Sequence, residues 1–245
     1  MVVYKAPYDE YDFLFYEVFD VLDLAKRLGH DDLDRDFIRM IMEGWGDYCT
    51  EVLLPLNEIG DREGLVFESG EVTMPSGFVD AWKEGVEAGW FATTCRPEHG
   101  GMGLPQFVRN GVDEIAIAAN MSLSVVPALG LGVYELVTNH GVQELIDHYA
   151  EYLASGHWCS TMCLTEPHAG TDLGIIYSKA VPQDDGSYRV TGTKIFITAG
   201  EHDLSDNIVH MVLAKTPDAP EGTKGISLFI VPKFLPKDWE SGSVE

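Results

Sequence analysis

The chain changes character at Gly156, and this change most strongly limits the folds that it can adopt. Before Gly156, apolar residues recur at helical spacing, as they do from Phe37 to Trp45. After it come short runs rich in β-branched and aromatic residues, separated by turn sequences and without an intervening helix. These runs are WCSTMCLT, SKAVPQ, YRVTGTKIFIT, NIVHMVLAKT and GISLFIVP. We therefore expect an α+β chain in which an all-helical domain precedes a small antiparallel β-barrel or sandwich, not a Rossmann sheet.

The same change from helical periodicity to β-rich runs guides the predicted domain boundaries. We expect an N-terminal leader over residues 1–30, an N-terminal helical domain over residues 31–155, and a middle β-domain over residues 156–245. The chain contains no internal repeat and no low-complexity linker that would argue for a different division.

A long apolar stretch within the helical part, residues 115–137, requires a separate interpretation. It carries no charge before Glu135 and is long enough to cross a bilayer. However, it contains Asn120, two serines and a central Pro127, and many of its residues are small. We therefore predict two close-packed core helices, one ending near Ala119 and one beginning near Pro127, and no membrane span.

The charge balance excludes some classes of partner. Asp and Glu outnumber Lys and Arg 40 to 16, which gives a formal net charge of -24. Such a surface repels nucleic acid and anionic membranes, so we expect neither as a partner. The N-terminal segment carries acidic residues where a signal peptide needs a basic and then an apolar run, so a cytoplasmic location is expected.

Neither the cysteines nor the histidines form a metal-binding pattern. The four cysteines are scattered, and we expect Cys159 and Cys163 to be buried free thiols on one face of a strand. The eight histidines are dispersed, so no metal site is predicted. The chain also lacks the glycine spacing of a dinucleotide fingerprint after a strand and the common hydrolase and phosphate-binding motifs.

The stretch CLTEPHAGTDLG, residues 163–174, is the first candidate binding site. Leu164 and Thr165 end a predicted strand, and Pro167 cannot extend it. Gly170 lets the backbone turn tightly, so that successive N–H groups can point at one acceptor. Thr165 and Thr171 add hydroxyl donors suited to a carbonyl, a flavin edge or a phosphate. On these residues alone, an ordinary turn between strands and a ligand-binding loop are equally supported.

Two carboxylates lie in this stretch, Glu166 and Asp172. Each has the chemistry of a general acid or base, but loop carboxylates commonly accept hydrogen bonds from backbone N–H groups instead. We therefore predict a capping role for both.

The stretch GTKIFITAG, residues 192–200, is the second candidate. As a strand it would place Ile195 and Ile197 on one face and Phe196 and Thr198 on the other. An aromatic ring beside a hydroxyl can pack against a planar ligand, although the pattern alone favours a phenylalanine in the core of a barrel.

Taken in tandem, these stretches resemble the acyl-CoA dehydrogenase family. MCLTEPHAGTDLG, followed by YRVTGTKIFITAG and GISLFIVPK, is similar to the TEPxxGSD loop and GxKxWITN strand of that family's middle β-domain. Upstream, RPEHGGMGLP is similar to the family's PEEYGGxG loop. YKAP with DFLFYEV is similar to the leader of the large, long-chain-type bacterial members, a subgroup that includes enzymes for methylthiopropionyl-CoA.

The resemblance implies a reaction and a set of partners. Members of the family use FAD to desaturate acyl-CoA thioesters between Cα and Cβ. A glutamate takes the α-proton, the β-hydrogen leaves as hydride to the flavin, and the electrons pass to electron-transfer flavoprotein. The resemblance therefore implies FAD as cofactor, an acyl-CoA substrate, and a homo-oligomer for the full-length form.

The resemblance also assigns residues by position in the motifs. Thr171 stands at the motif serine, which contacts both cofactor and bound acyl-CoA, and Phe196 stands at the usual tryptophan on one flavin face. Ala199 replaces a common asparagine, so no side-chain bond is expected there. The full set of implied cofactor contacts is Met162, Leu164, Thr165, Gly170, Thr171, Phe196, Ile197 and Thr198.

The family's catalytic glutamate lies in a C-terminal helical domain, which is expected beyond residue 245. We therefore name no catalytic residue and expect a portion of a dehydrogenase that is incomplete on its own. Two alternatives stay open at this point: an acyl-CoA oxidase that passes electrons to oxygen, and a non-catalytic module that binds acyl-CoA or a partner subunit.

Overall fold

A computed structural model describes residues 3–238 and 243–244 of the chain. Helices dominate up to Ser155, and strands dominate from Trp158 onward, so the predicted α+β class is confirmed. Short π-helical segments, Phe13–Val18 and Cys49–Leu53, follow α1 and α3 directly. The helices are α1 Tyr8–Asp12, α2 Val21–Arg27, α3 Arg35–Tyr48, α4 Leu54–Glu63, α5 Phe78–Glu87, α6 Gln106–His140 and α7 Gln143–Ser155.

Local sequence accounts for the start and the orientation of α3. The Asp34 side chain accepts a hydrogen bond from the Phe37 N–H at 2.8 Å, which caps the first turn. Ile38, Met42 and Trp45 then recur on one face and are buried in the core.

One short hairpin in the helical half was not predicted. β1 (Val66–Glu68) pairs antiparallel with β2 (Glu71–Thr73), and most of its residues are exposed. The turn between them contains Ser69 and Gly70, both with positive φ, which is the geometry of a tight hairpin.

The first helix predicted in α6 ends where expected, near Ala119, but the second begins earlier than Pro127. Asn120 adopts a non-helical conformation with φ -155° and ψ 90°, and the helix then continues through Pro127. The Asn120 Oδ1 atom accepts hydrogen bonds from the Leu123 N–H at 3.1 Å and from the Ser122 hydroxyl at 2.8 Å. Asn120 therefore acts as the N-cap of the second half of the helix, and this capping explains the position of the break.

By length and composition α6 is apolar enough to cross a membrane. In this fold, however, its buried residues contribute to both hydrophobic clusters of the core, as expected for the central helix of a folded domain.

Among the described residues the strands after α7 form a five-stranded sheet in which β6 is central. β6 pairs in parallel with β3 from Trp158↔Asn207 to Cys163↔Val212, in parallel with β4 at Lys179↔Lys215, and antiparallel with β7. β4 and β5 form an antiparallel hairpin. A separate pair, β8 (Pro236–Asp238) and β9 (Ser243–Val244), follows. The sheet strands are β3 Trp158–Cys163, β4 Lys179–Pro182, β5 Tyr188–Thr191, β6 Asn207–Lys215 and β7 Ile226–Pro232.

The sheet is thus mixed, and the purely antiparallel arrangement that we predicted is wrong in this detail. β3 and β6 run in the same direction because the long segment between them crosses back over the sheet. That crossover carries the motif loop after β3, the β4–β5 hairpin and the KIFIT segment.

The hydrophobic core joins the two parts of the chain. One cluster combines helical residues such as Trp45 and Phe78 with Leu204 and Ile208 from the β part. A second cluster packs residues of α6 and α7 around Trp158, which is 2% exposed. Both clusters contain residues of the helical part and of the β part. The loops between the two parts are therefore packed against side chains from both.

The role of Asn120 gives a first test. Asn120→Ala removes the cap of the Leu123 N–H and the bond from Asn120 Nδ2 to the Leu53 carbonyl at 3.0 Å, both buried. We expect it to lower the free energy of unfolding by about 2–4 kcal/mol, measured by urea denaturation. The matched control is Asn110→Ala, an exposed asparagine on the same helix, which should cost less than about 0.5 kcal/mol. Equal effects of the two substitutions would contradict the capping role.

Candidate functional site

The motif loop begins where β3 ends and immediately folds back on itself. The N–H of Glu166 donates to the Ala169 carbonyl at 2.8 Å, and the Ala169 N–H donates to the Glu166 carbonyl at 3.1 Å. The Asp172 side chain then accepts from the Gly174 N–H at 3.0 Å. The loop is therefore a closed, internally bonded unit, and Asp172 has the backbone-capping role that its position predicted.

The carboxylate of Glu166 is the anchor of this loop. Glu166 is 3% exposed, and its two oxygens accept hydrogen bonds from the backbone N–H groups of Tyr177 at 2.6 Å and Ser178 at 3.0 Å. A third bond comes from the Lys194 ammonium group at 2.9 Å. The predicted capping role of Glu166 is confirmed, and its oxygens are committed to structure and not free for proton transfer.

These bonds also set the ionisation of Glu166. Burial alone raises the pKa of a carboxyl group, but the hydrogen bonds to its charged form outweigh burial and bring the pKa of Glu166 to about 2. Because the folded pKa is lower than the unfolded one, the charged form stabilises the fold above about pH 4.3, the ordinary value for Glu. That stabilisation is lost as the pH falls towards the folded pKa.

Lys194 joins the loop to the second motif. Its ammonium group donates to the Leu164 carbonyl at 2.9 Å as well as to Glu166. One residue further on, the Ile195 N–H donates to the Thr165 carbonyl at 2.9 Å. The two stretches singled out in the sequence therefore lie side by side. One main-chain hydrogen bond and the two hydrogen bonds of the Lys194 ammonium group fix their spacing.

The second motif is not a strand, contrary to our expectation. β5 ends at Thr191, and the following residues run in an irregular, partly extended path. Phe196 and Ala199 have positive φ values of 57° and 52°, which no regular strand accommodates. At Gly192, an added Cβ would lie 2.1 Å from the Ser178 hydroxyl oxygen, so only glycine fits this close approach.

Phe196 is the most unusual residue of the site. Its side chain is 90% exposed, and its backbone lies in the left-handed region, which is uncommon for a bulky residue. A bulky residue held in this backbone region is typical of a functional site. The alternative raised by the pattern, a phenylalanine in a barrel core, is wrong.

Three threonines of the motif loop and of the segment that carries Phe196 offer unused donors. Among the side-chain hydrogen bonds of the described residues, none engages the hydroxyls of Thr165, Thr171 and Thr198. Thr171 and Thr198 are exposed, and Thr165 is half-buried. Free hydroxyls on the two segments that carry an exposed aromatic ring can bind a planar, hydrogen-bonding molecule.

The other predicted contact residues lie in three places: the motif loop, β3 and the segment after β5. Leu164 and Gly170 lie on the motif loop, whereas Met162 lies within β3 and packs partly against the core. Ile197 lies beside Thr198 at the edge of a large cavity. Which of these residues bind a cofactor remains a prediction.

Sequence reasoning missed Lys194. Lys194 is the one charged residue of GTKIFITAG, residues 192–200. A single cation beside apolar residues indicates a buried partner of opposite charge.

Cys159 and Cys163 are buried free thiols, as expected. All four cysteines are buried free thiols, and burial raises the pKa of Cys159 to about 12. Within the described ranges, no group of three or more His, Cys, Asp or Glu side chains is arranged to hold a metal ion.

Comparison with known proteins identifies the fold and its relatives. Residues 161–241 match the family model "Acyl-CoA dehydrogenase, middle domain". The chain is 43% identical over 234 residues to the 3-methylmercaptopropionyl-CoA dehydrogenase of Ruegeria pomeroyi, which covers 96% of this chain. It is 37% identical over 226 residues, 90% of the chain, to a broad-specificity linear acyl-CoA dehydrogenase of Mycobacterium tuberculosis.

The chain belongs to the acyl-CoA dehydrogenase family. The predicted resemblance is therefore confirmed. The fold of this acyl-CoA dehydrogenase family member also matches an acyl-CoA dehydrogenase from Bacillus anthracis solved in complex with FAD. The TM-score of that match is 0.65 at 23% identity, covering 84% of this chain and 32% of the solved one. The chain spans 40% and 37% of the lengths of the two curated relatives.

The anchor role of Glu166 in this family member leads to a pH-dependent prediction. Glu166→Gln should lower the free energy of unfolding by about 2–3 kcal/mol near pH 7, because it removes the charge that the buried Lys194 and two N–H groups bind. The difference from the unaltered protein should shrink between pH 4.5 and pH 3, measured by urea denaturation at each pH.

The exposed Glu221→Gln is the matched control and should change stability by less than about 0.5 kcal/mol throughout. A pH-independent effect of Glu166→Gln would contradict the ionised state assigned to Glu166.

Proposed function

We propose that this chain forms the N-terminal and middle parts of an FAD-dependent acyl-CoA dehydrogenase. The single observation that carries this proposal is the exposed, backbone-strained Phe196, which the hydrogen bonds of Lys194 and Ile195 fix next to the motif loop. Family membership supplies the chemical context. The substrates, acceptor and complete activity belong to a longer protein than the region matched here, since the relatives are more than twice as long.

The residues present fit a flavin. Phe196 offers an unburied aromatic face for stacking on a planar ring, while Thr165 and Thr198 offer donors for its polar edge. Leu164 and Thr165 also contribute main-chain groups at the end of β3. In this assignment Met162, Gly170 and Ile197 would complete the contacts, and Thr171 would contact both FAD and the bound acyl-CoA.

The reaction that we propose removes one proton from Cα and one hydride from Cβ of an acyl thioester. When bound, FAD supplies the acceptor for that hydride and its electron pair. The chain's own role is to hold the acceptor ring rigidly, because donors that are fixed before reaction stabilise developing charge without reorganisation. Glu166 and Lys194 provide that rigidity and do not exchange protons with substrate.

No residue of the described part is assigned as the base that removes the α-proton. Glu166 is excluded because its carboxylate is buried, depressed in pKa and bound by three donors. We propose that the base is supplied by the rest of the protein. The proposal also includes a homo-oligomer, electron-transfer flavoprotein as acceptor and a cytoplasmic location. Rapid reoxidation by oxygen would instead support the acyl-CoA oxidase alternative.

The experiment is to purify the product of the complete coding sequence that contains these residues and to measure bound flavin and activity together. We expect one FAD per chain by its absorbance, and conversion of an acyl-CoA to its enoyl-CoA with an electron-accepting dye, followed by mass spectrometry. A purified, folded protein that binds no FAD and desaturates no acyl-CoA would contradict the proposal and would favour the non-catalytic binding module.

Phe196 gives a residue-level prediction within the same protein. Phe196→Ala should weaken FAD binding roughly 10-fold, because a stacked aromatic contact contributes about 0.5–1.5 kcal/mol in addition to the buried area. Phe196→Trp should preserve it. The measurement is the dissociation constant of FAD from flavin fluorescence quenching.

Phe67→Ala is the control, since Phe67 is also an exposed phenylalanine but lies on the β1–β2 hairpin. Equal FAD affinities for Phe196→Ala and Phe67→Ala would remove Phe196 from the site.

A further inference from the structure

His168 lies on the motif loop, and its imidazole ring reaches the residues that follow the loop. The His168 Nε2 atom lies 3.0 Å from the Ile175 carbonyl oxygen. Because a carbonyl oxygen can only accept, Nε2 carries the hydrogen and donates it. Thr171 lies between His168 and Ile175 in the chain, so this hydrogen bond closes the segment that contains Thr171.

The same imidazole ring stacks on the ring of Tyr177. The two ring centroids are 3.8 Å apart, and the angle between the ring planes is 26°. The side chain of His168 is 31% exposed and Tyr177 is 73% exposed, so this stack lies on the surface and not in the core. The stack and the hydrogen bond act together, because both hold His168 against residues 175–177.

The part of the loop that carries Thr171 has few other restraints. The Glu166 carboxylate ties the loop together at its base, through the N–H groups of two residues that follow the loop. Further out, the Asp172 side chain bonds only within the loop, to the Gly174 N–H. No hydrogen bond between described residues involves Thr171 itself. The contacts of His168 are therefore a second tie across the loop, in addition to that of Glu166.

The position of Thr171 matters because its hydroxyl is exposed and has no partner among the described residues. A hydroxyl binds a ligand more tightly when its loop is already ordered, since less conformational freedom is lost on binding. A loop with glycines at positions 170 and 174 has much freedom to lose. A contact that orders this loop before binding therefore increases the affinity for whatever Thr171 binds.

We propose that His168 is a positioning residue for Thr171. Its hydrogen bond to Ile175 and its stack on Tyr177 hold the loop in the conformation in which the Thr171 hydroxyl receives the cofactor. His168 acts through Thr171 and is not itself a ligand contact. This inference rests on the proposed function in one respect, because it takes FAD as the molecule that Thr171 binds.

Four variants separate the contributions. His168→Ala loses both contacts, His168→Phe keeps a ring for the stack without an N–H, and His168→Gln keeps an N–H donor without a ring. The control is His140→Ala, an exposed histidine at the end of α6 and outside the loop.

The first readout is the dissociation constant of FAD for the complete protein, in a double-mutant cycle of His168→Ala with Thr171→Ala. We expect each single variant to weaken binding about 3- to 10-fold, as the loss of one hydrogen bond predicts. The double variant should bind no more weakly than Thr171→Ala alone, because His168 acts only through the Thr171 hydroxyl. His168→Phe and His168→Gln should lie between His168→Ala and the unaltered protein, and His140→Ala should have no effect.

The second readout is the NMR order parameter of the Thr171 amide in the flavin-free protein, which reports the order of the loop without any ligand. We expect a value of about 0.8 in the unaltered protein and in His140→Ala, and below about 0.6 in His168→Ala.

Two results would overturn the proposal. One is a further loss of FAD affinity when His168→Ala is added to Thr171→Ala, which would show that His168 does not act through Thr171. The other is an unchanged order parameter of Thr171 in His168→Ala. A lowered order parameter in a protein that binds no FAD would count against the proposed function alone. Additive effects in a protein that binds FAD would count against the role of His168 alone.

Discussion

The buried ion pair between Glu166 and Lys194 is the interaction on which the candidate site depends. Glu166 ties the motif loop to the start of β4 through the N–H groups of Tyr177 and Ser178. Lys194 ties the same carboxylate, and the Leu164 carbonyl, to the segment that presents Phe196. A buried pair of this kind is stabilising only when hydrogen bonds support it, and here four hydrogen bonds link three segments through it.

This network explains how an irregular segment can be rigid. Residues 192–200 have no strand partner in the described sheet, and two of them carry positive φ values. Their position is fixed instead by the Lys194 bonds, by the main-chain bond from Ile195 to Thr165 and by the close approach at Gly192. The strain at Phe196 is thus maintained by the surrounding structure, as expected where an exposed ring must keep one orientation.

Much of the fold followed from pattern, and the failures have identifiable physical causes. Helical periodicity predicted the N-terminal part, and β-rich runs predicted β3 to β7, because both depend on local sequence. The end of the first α6 segment near Ala119 is confirmed, but we expected the second segment to begin at Pro127 because proline lacks an N–H. The Asn120 side chain caps the second segment instead, so that segment begins earlier. The parallel pairing of β3 and β6 depends on how a long crossover packs, and no local pattern reports that.

The same division applies to the site. The loop residues and the capping roles of Glu166 and Asp172 were predictable from turn chemistry. We expected a strand in the KIFIT segment because Ile195, Phe196 and Ile197 alternate as the residues of a strand do, but the segment is irregular. Lys194 gains its role only from contacts between distant parts of the chain.

The central claim is that the Glu166–Lys194 pair holds two segments at the spacing that a flavin ring requires. The most direct test is a crystal structure of the complete protein with FAD. The account predicts the flavin ring stacked on Phe196, with the hydroxyl of Thr165 or Thr198 within hydrogen-bond distance of its polar edge and the ion pair intact. A flavin bound elsewhere, with Phe196 exposed to solvent, would contradict it.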